Sequence, residues 1–215
     1  MNIRITGLAL FATAILVQTA LADDLHPPPW QRFQSNTTSQ EWVFNTPNLG
    51  PPDGNLFFNP NGTPSMQVNN PSLVNWQSTA LGRNGVWSIF PGGILQFGIP
   101  NTPEAHDRFK EVWAQITWAS TDPTGVVSLQ PFGPLGSTVE TIGTIGLGGG
   151  WFHSTFHYVL PFNPNFEYYQ IINNSQSKLL VDQVVLDSIC VPEPATFVAL
   201  GLGLASLAVL RRRRK

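Results

Sequence analysis

From Phe109 to Trp118 the chain reads FKEVWAQITW, and the residues change character at every step. Val112, Ala114, Ile116 and Trp118 fall on one side with Lys110, and Phe109, Glu111, Trp113, Gln115 and Thr117 fall on the other. A period of two predicts a strand with one face in a core. WFHSTFHYVL behaves alike: Phe152, Ser154, Phe156, Tyr158 and Leu160 share one side, and Trp151, His153, Thr155, His157 and Val159 take the other. Further segments that predict strands are EWVFN from Glu41, GVWSIF from Gly85, GILQFGI from Gly93, GVVSLQPF from Gly125, TVETIGTIGL from Thr138, FEYYQIIN from Phe166 and KLLVDQVVLDSI from Lys178. Between them stand turn signals such as Asp53-Gly54-Asn55, Asp122-Pro123-Thr124-Gly125 and Asn163-Pro164-Asn165.

Nine or ten short strands in about 165 residues, with no convincing helix between the two ends of the chain, predict an all-β fold. The expected architecture is a two-sheet antiparallel β-sandwich over residues 41–190, most simply a jelly roll. Leu25 to about Gln40 is polar and opens on prolines, so residues 23–40 are expected to form a loosely held arm or edge. No internal repeat is evident.

The two ends follow different patterns. Met1 to Ala22 has Arg4 near its start, an apolar stretch from Gly7 to Val17, and Ala20-Leu21-Ala22 as a small-x-small cleavage site. This is the layout of an export signal helix removed by signal peptidase, leaving Asp23 as the first residue. At the other end, Ala195 to Leu210 is uncharged and Arg211, Arg212, Arg213, Arg214 and Lys215 follow at once. As a transmembrane helix its sixteen residues reach about 24 Å, short of a hydrocarbon core of about 30 Å. The basic block is expected to stay cytoplasmic and the β domain outside.

Composition sharpens this reading. Charged residues are 11% of the chain, and Gly and Pro number nineteen each, as a turn-rich β protein requires. Between Asp23 and Cys190 there are twelve Asp and Glu against five Lys and Arg, an acidic balance that the net charge of -2 conceals. An acidic body without a basic stripe argues against nucleic acid as a partner. The single cysteine, Cys190, excludes an internal disulfide and leaves stability to the core.

Candidate chemistry is sparse. His153 and His157 have the spacing of two metal ligands on a helix, but on a strand four residues span about 13 Å, too far for one ion. No metal site is assigned to them. Glu104, His106 and Asp107 could seed a metal or acid–base cluster, although such a run before a strand reads first as a solvated loop; a hydrolase using Glu104, Asp107 or Glu167 is the least favoured reading. Asp53-Gly54-Asn55 reads as a turn, with a loop calcium as its alternative; no other cofactor is expected. The chain has no G-x-S-x-G elbow, and GLGGG from Gly146 opens no helix. Seven Trp are many for one domain. Most belong in the core, and Trp76, Trp113 and Trp151 are expected to be partly exposed, where indoles could stack on sugar rings.

Pro192 and Pro194 hold the chain extended before the apolar run. Val191-Pro192-Glu193-Pro194, a short apolar helix and RRRRK, in that order, resemble a PEP-CTERM protein-sorting signal. The resemblance covers roughly the last 25 residues and implies Pro192, Glu193 and Pro194 as the motif recognised by a membrane-embedded exosortase. It further implies transient residence in the inner membrane, then the cell surface or extracellular matrix of an exopolysaccharide-producing bacterium. The body is expected to be non-enzymatic, with carbohydrate binding through exposed Trp as the alternative.

Overall fold

The computed structural model describes residues 24–101, 108–120, 128–132 and 137–192. The export signal at 1–22, the Glu104–Asp107 cluster, and Glu193 to Lys215 lie outside the described residues.

Twelve strands follow in order: β1 (Thr37–Trp42), β2 (Phe57–Phe58), β3 (Ser65–Asn69), β4 (Val74–Ala80), β5 (Arg83–Ile89), β6 (Ile94–Pro100), β7 (Arg108–Ser120), β8 (Ser128–Phe132), β9 (Thr138–Gly148), β10 (Trp151–Leu160), β11 (Phe166–Ile172) and β12 (Leu179–Pro192). A single 3-10 turn, Pro71–Leu73, is the helical element among the described residues. All strand pairs are antiparallel, in two sheets. One sheet has the order β2-β1-β12-β7-β10-β9, with the β4–β5 hairpin joined to β12; the other has the order β3-β6-β11-β8. The expected all-β class and two antiparallel sheets are therefore present. The strand count is higher than nine or ten because β2, β3 and β4 were not foreseen. Their sequences FF, SMQVN and VNWQSTA are short or polar, and residues such as Gln67, Asn75, Ser78 and Thr79 are exposed.

The core forms where the alternating faces meet. Val112, Ala114, Ile116 and Trp118 of β7, Phe156, Tyr158 and Leu160 of β10, and Val184 and Leu186 of β12 pack against Leu95, Phe97 and Ile99 of β6 and Tyr169 and Ile171 of β11. Trp42 and Phe97 meet edge-on with ring centroids 4.9 Å apart, a favoured aromatic geometry.

β12 is the central strand of the larger sheet. One of its edges pairs with β7 along its whole length; the other pairs first with β5, over Leu179–Val181, and then with β1, over Val184–Ile189. The change of partner coincides with a register shift at Asp182, as a bulge permits. Asp182 leaves the ladder there and meets Arg83 at 2.5 Å. Gly85 lets the β4–β5 hairpin approach: it has φ +68°, and a Cβ there would lie 2.2 Å from the Phe44 carbonyl oxygen. That oxygen also accepts from Trp76 Nε1 at 2.9 Å.

The polar, proline-led segment is held against the sheet, and its last residues, from Thr37, form a strand. β1 opens at Thr37 instead of Glu41, and Asp24 to Arg32 lie across the outer face of β7, β10 and β12. His26 N–H donates to Gln115 Oε1 at 3.0 Å, Trp113 Nε1 donates to the His26 carbonyl at 2.6 Å, and His26 Nδ1 meets Thr155 Oγ1 at 3.0 Å. Arg32 is the clasp. Its Nε and Nη2 donate to the two oxygens of Asp187 at 2.7 and 2.6 Å, and the same guanidinium pairs with Asp24. Proline content correctly signals missing regular structure, but attachment comes from side chains that only the folded sheet assembles.

Candidate functional site

The exit of the chain from the body is set by β12. Its last three residues stay in the ladder, with Cys190 opposite Lys110, Val191 opposite Phe109 and Pro192 opposite Arg108. On its other edge Cys190 N–H donates to the Asn36 carbonyl at 2.9 Å, and Asn36 Nδ2 donates to the Cys190 carbonyl at 3.2 Å. The body therefore holds the chain up to the first proline of Pro192-Glu193-Pro194. A proline ends such a ladder naturally, because it has no N–H to contribute.

The protein is thus an all-β, two-sheet body whose last and central strand delivers the C-terminal tail without a spacer. Residues 191–214 match the PEP-CTERM protein-sorting motif. The tail is that motif, which marks an exported protein sorted to the cell surface and processed by an exosortase. No curated protein matches the chain, and no solved structure does.

The three Trp singled out for sugar contact have different fates. Trp151 is buried; its Nε1 donates to the Leu81 carbonyl at 3.0 Å, and Arg83 lies 5.1 Å from its ring centre. Its expected exposure is corrected: β10 places it on the outer face of the sheet, but the β4–β5 hairpin covers it with Val86 and Ala80. Trp76 is half-buried against the core, its indole N–H committed to Phe44. Trp113 is half-buried on the outer face, with Trp30 edge-on at 6.3 Å and His157 at 5.6 Å between ring centres. His157 Nε2 lies 3.0 Å from Glu111 Oε2, and both side chains are partly exposed. Trp30, Trp113, His157 and Glu111 thus form one mixed aromatic and polar patch beside the arm. Sequence reading missed Trp30, which sits among the prolines; the Pro-Pro-Pro-Trp run was its only signal.

The other candidates are absorbed by the fold. His153 is buried between Thr117, 3.1 Å from its Nδ1, and Gln115, 3.1 Å from its Nε2, whereas His157 faces Glu111. The two histidines thus serve different neighbours. Among the described residues no group of three His, Cys, Asp or Glu gathers as metal ligands. Both Asp53 oxygens bind backbone, accepting from Val43, Phe44 and Asn45 N–H at 2.8, 3.2 and 2.8 Å. Glu41 Oε2 likewise accepts from Asn55 and Leu56 N–H at 2.9 and 3.0 Å.

Glu167 lies inside the sandwich instead of in a cleft. It pairs with Lys110 and accepts from the Tyr169 hydroxyl, and the Lys110 and Glu167 side chains are 1% and 2% exposed. Burial, reinforced by the neighbouring Glu167 carboxylate, holds Tyr169 well above the ordinary phenol range. On the outer face, burial alone would raise Asp24, but hydrogen bonds from Arg32 and Gln115 outweigh it and leave Asp24 below the usual carboxylate value. For the fully buried Asp187, burial outweighs Arg32 and the carboxyl stays above that value.

Proposed function

We propose that the protein is a non-enzymatic structural or adhesive component, delivered through its tail to the cell surface or extracellular matrix after brief residence in the inner membrane. The observation that carries this reading is the direct passage of central strand β12 into the sorting motif. A cut beyond Pro192 frees the body without touching its hydrogen-bonded sheet. The topology favours a jelly roll, since β1-β12-β7-β10 and β6-β11-β8 interleave early and late strands. This role needs no cofactor, and the turn-binding of Asp53 speaks against a loop calcium. The test is to replace Pro192, Glu193 and Pro194 together by Ala and measure the intact mass of the protein. The expected variant is folded and loses its export signal after Ala22, but retains the C-terminal tail. An unchanged C-terminal mass overturns the reading of the tail.

A second reading, carbohydrate binding, is favoured by the Trp30–Trp113 pair with His157 and Glu111 beside it. A half-exposed indole offers a flat apolar surface, and the polar neighbours offer partners for hydroxyl groups. A glycan array, with exopolysaccharide from the producing cells included, tests the exported body. Binding that Trp113→Ala lowers at least tenfold supports this site, and binding that is absent or unaffected by the substitution refutes it.

A further inference from the structure

The interior of the sandwich is polar at the end from which the tail leaves. Lys110 of β7 points inward, flanked across its two ladders by Cys190 of β12 and Leu160 of β10. Glu167 of the opposite sheet meets its ammonium group. Two buried carboxamides complete the cluster. Asn163, in the turn from β10 to β11, lies with its Oδ1 3.4 Å from Cys190 Sγ and accepts from Asn101 Nδ2. Asn101 is held in turn by the Pro164 carbonyl, to which its Nδ2 donates at 2.7 Å.

Opposed residues on antiparallel strands have Cβ atoms about 4.5–5.5 Å apart. Asn163 therefore touches the residue directly opposite Lys110, beside the gap between the sheets that the Lys110 stem crosses to reach Glu167. An amine, a carboxylate and a polarised carboxamide in a site closed to water are the parts of an acyl transfer. We propose that Lys110 and Asn163 join in an intramolecular amide cross-link, with Glu167 as the proton carrier.

The step balances without an oxidant or a cofactor. Glu167 takes a proton from the Lys110 ammonium, and the freed Nζ lone pair attacks Asn163 Cγ. Negative charge develops on Oδ1, where Asn101 Nδ2–H already donates and the Cys190 thiol lies close. The Nζ–Cγ bond forms, the Cγ–Nδ2 bond breaks, and Nδ2 leaves as ammonium with the protons that Nζ has lost, Glu167 returning to carboxylate. Lysine ammonium plus carboxamide gives a secondary amide plus ammonium. The product ties β7 to the turn joining the two sheets, in a body whose single cysteine allows no internal disulfide.

Trypsin digestion of the denatured full-length protein followed by mass spectrometry decides the matter. Asn163 lies between Lys110 and Lys178, and no other Lys or Arg intervenes. A cross-linked Lys110 resists trypsin, so the expected product is a single peptide 109–178, lighter by about 17 Da through loss of ammonia. Glu167→Gln is expected to restore cleavage after Lys110 and release peptide 111–178 at its unmodified mass. Cleavage after Lys110 in the wild-type chain, with 111–178 unmodified, overturns the proposal and leaves the cluster as a structural ion pair. A branched product containing residues 84–108 moves the acceptor to Asn101 and refutes the assignment to Asn163. A cross-link retained in Glu167→Gln refutes the role of Glu167. Because the wild-type digest alone answers the first question, a variant that fails to fold does not obscure it.

Discussion

Arg32 fastens a segment without regular structure to the face of a sheet, and replacing it by Met tests how much that clasp contributes. Met keeps most of the apolar stem and removes the charge and its donors. In the native protein the Arg32 side chain is 14% exposed and that of Asp187 is 0% exposed, with two hydrogen bonds between them. Removing one partner of a buried pair strands the other charge, at a cost of about 3–5 kcal/mol. For a body of this size that corresponds to a fall in Tm of about 6–20 °C. Asp24, with its side chain 29% exposed, is a lesser partner; Asp24→Asn is expected to cost about 1 kcal/mol. The assay is thermal and urea unfolding of the wild type, Arg32→Met, and Arg32→Met combined with Asp187→Asn. The double variant is expected to recover part of the loss, because an amide leaves no unpaired charge. pH separates the two carboxylates. Asp24 is held below its unfolded value, so its contribution is present above that value and fades as pH falls through its folded pKa. Asp187 is raised, so its penalty is full above its folded pKa and is relieved as pH falls through it. Without Arg32 the Asp187 penalty grows, and the gap between variant and wild type must narrow in acid. A variant within about 0.5 kcal/mol of wild type, or a gap that does not change with pH, would refute the clasp.

Glycine substitutions test the docking of the β4–β5 hairpin. Gly82→Ala meets no atom within 4 Å and carries only the strain of φ +79°, about 1–2 kcal/mol, whereas Gly85→Ala adds a collision with the Phe44 carbonyl, a further cost of about 1–3 kcal/mol. Equal shifts in urea midpoint for the two variants would contradict that geometry. Val43 to Asn45 lean on Asp53, so Asp53→Ala is expected to lower stability by about 1 kcal/mol, and calcium is expected to leave its unfolding midpoint unmoved. A calcium-dependent rise in the wild-type midpoint that Asp53→Ala abolishes would restore the metal reading.

Much of the fold was legible as periodicity. The faces read for Phe109–Trp118 and Trp151–Leu160 are the faces observed, because a strand buried on one side constrains its residues two by two. Polar β3 and β4 left no such imprint, since their outer positions face solvent and accept many side chains. The exposure of Trp113 was legible and that of Trp151 was not. Both stand on outer faces, and only the position of the β4–β5 hairpin distinguishes them.

The tail is the part that the sequence determined by itself. Its signal is a linear order of short parts, matched as a contiguous motif over residues 191–214, so no tertiary contact is needed to specify it. Where the signal begins relative to the folded body is a different matter. Only the ladder shows that Cys190, Val191 and Pro192 still belong to β12, because pairing with Lys110, Phe109 and Arg108 joins residues about eighty positions apart. His26 and Gln115 are a similar distance apart in sequence, Arg32 and Asp187 lie 155 positions apart, and Lys110 is separated from Glu167 by somewhat less. Such neighbours are created by strand register, which one misplaced residue would reverse, and no local pattern can encode them.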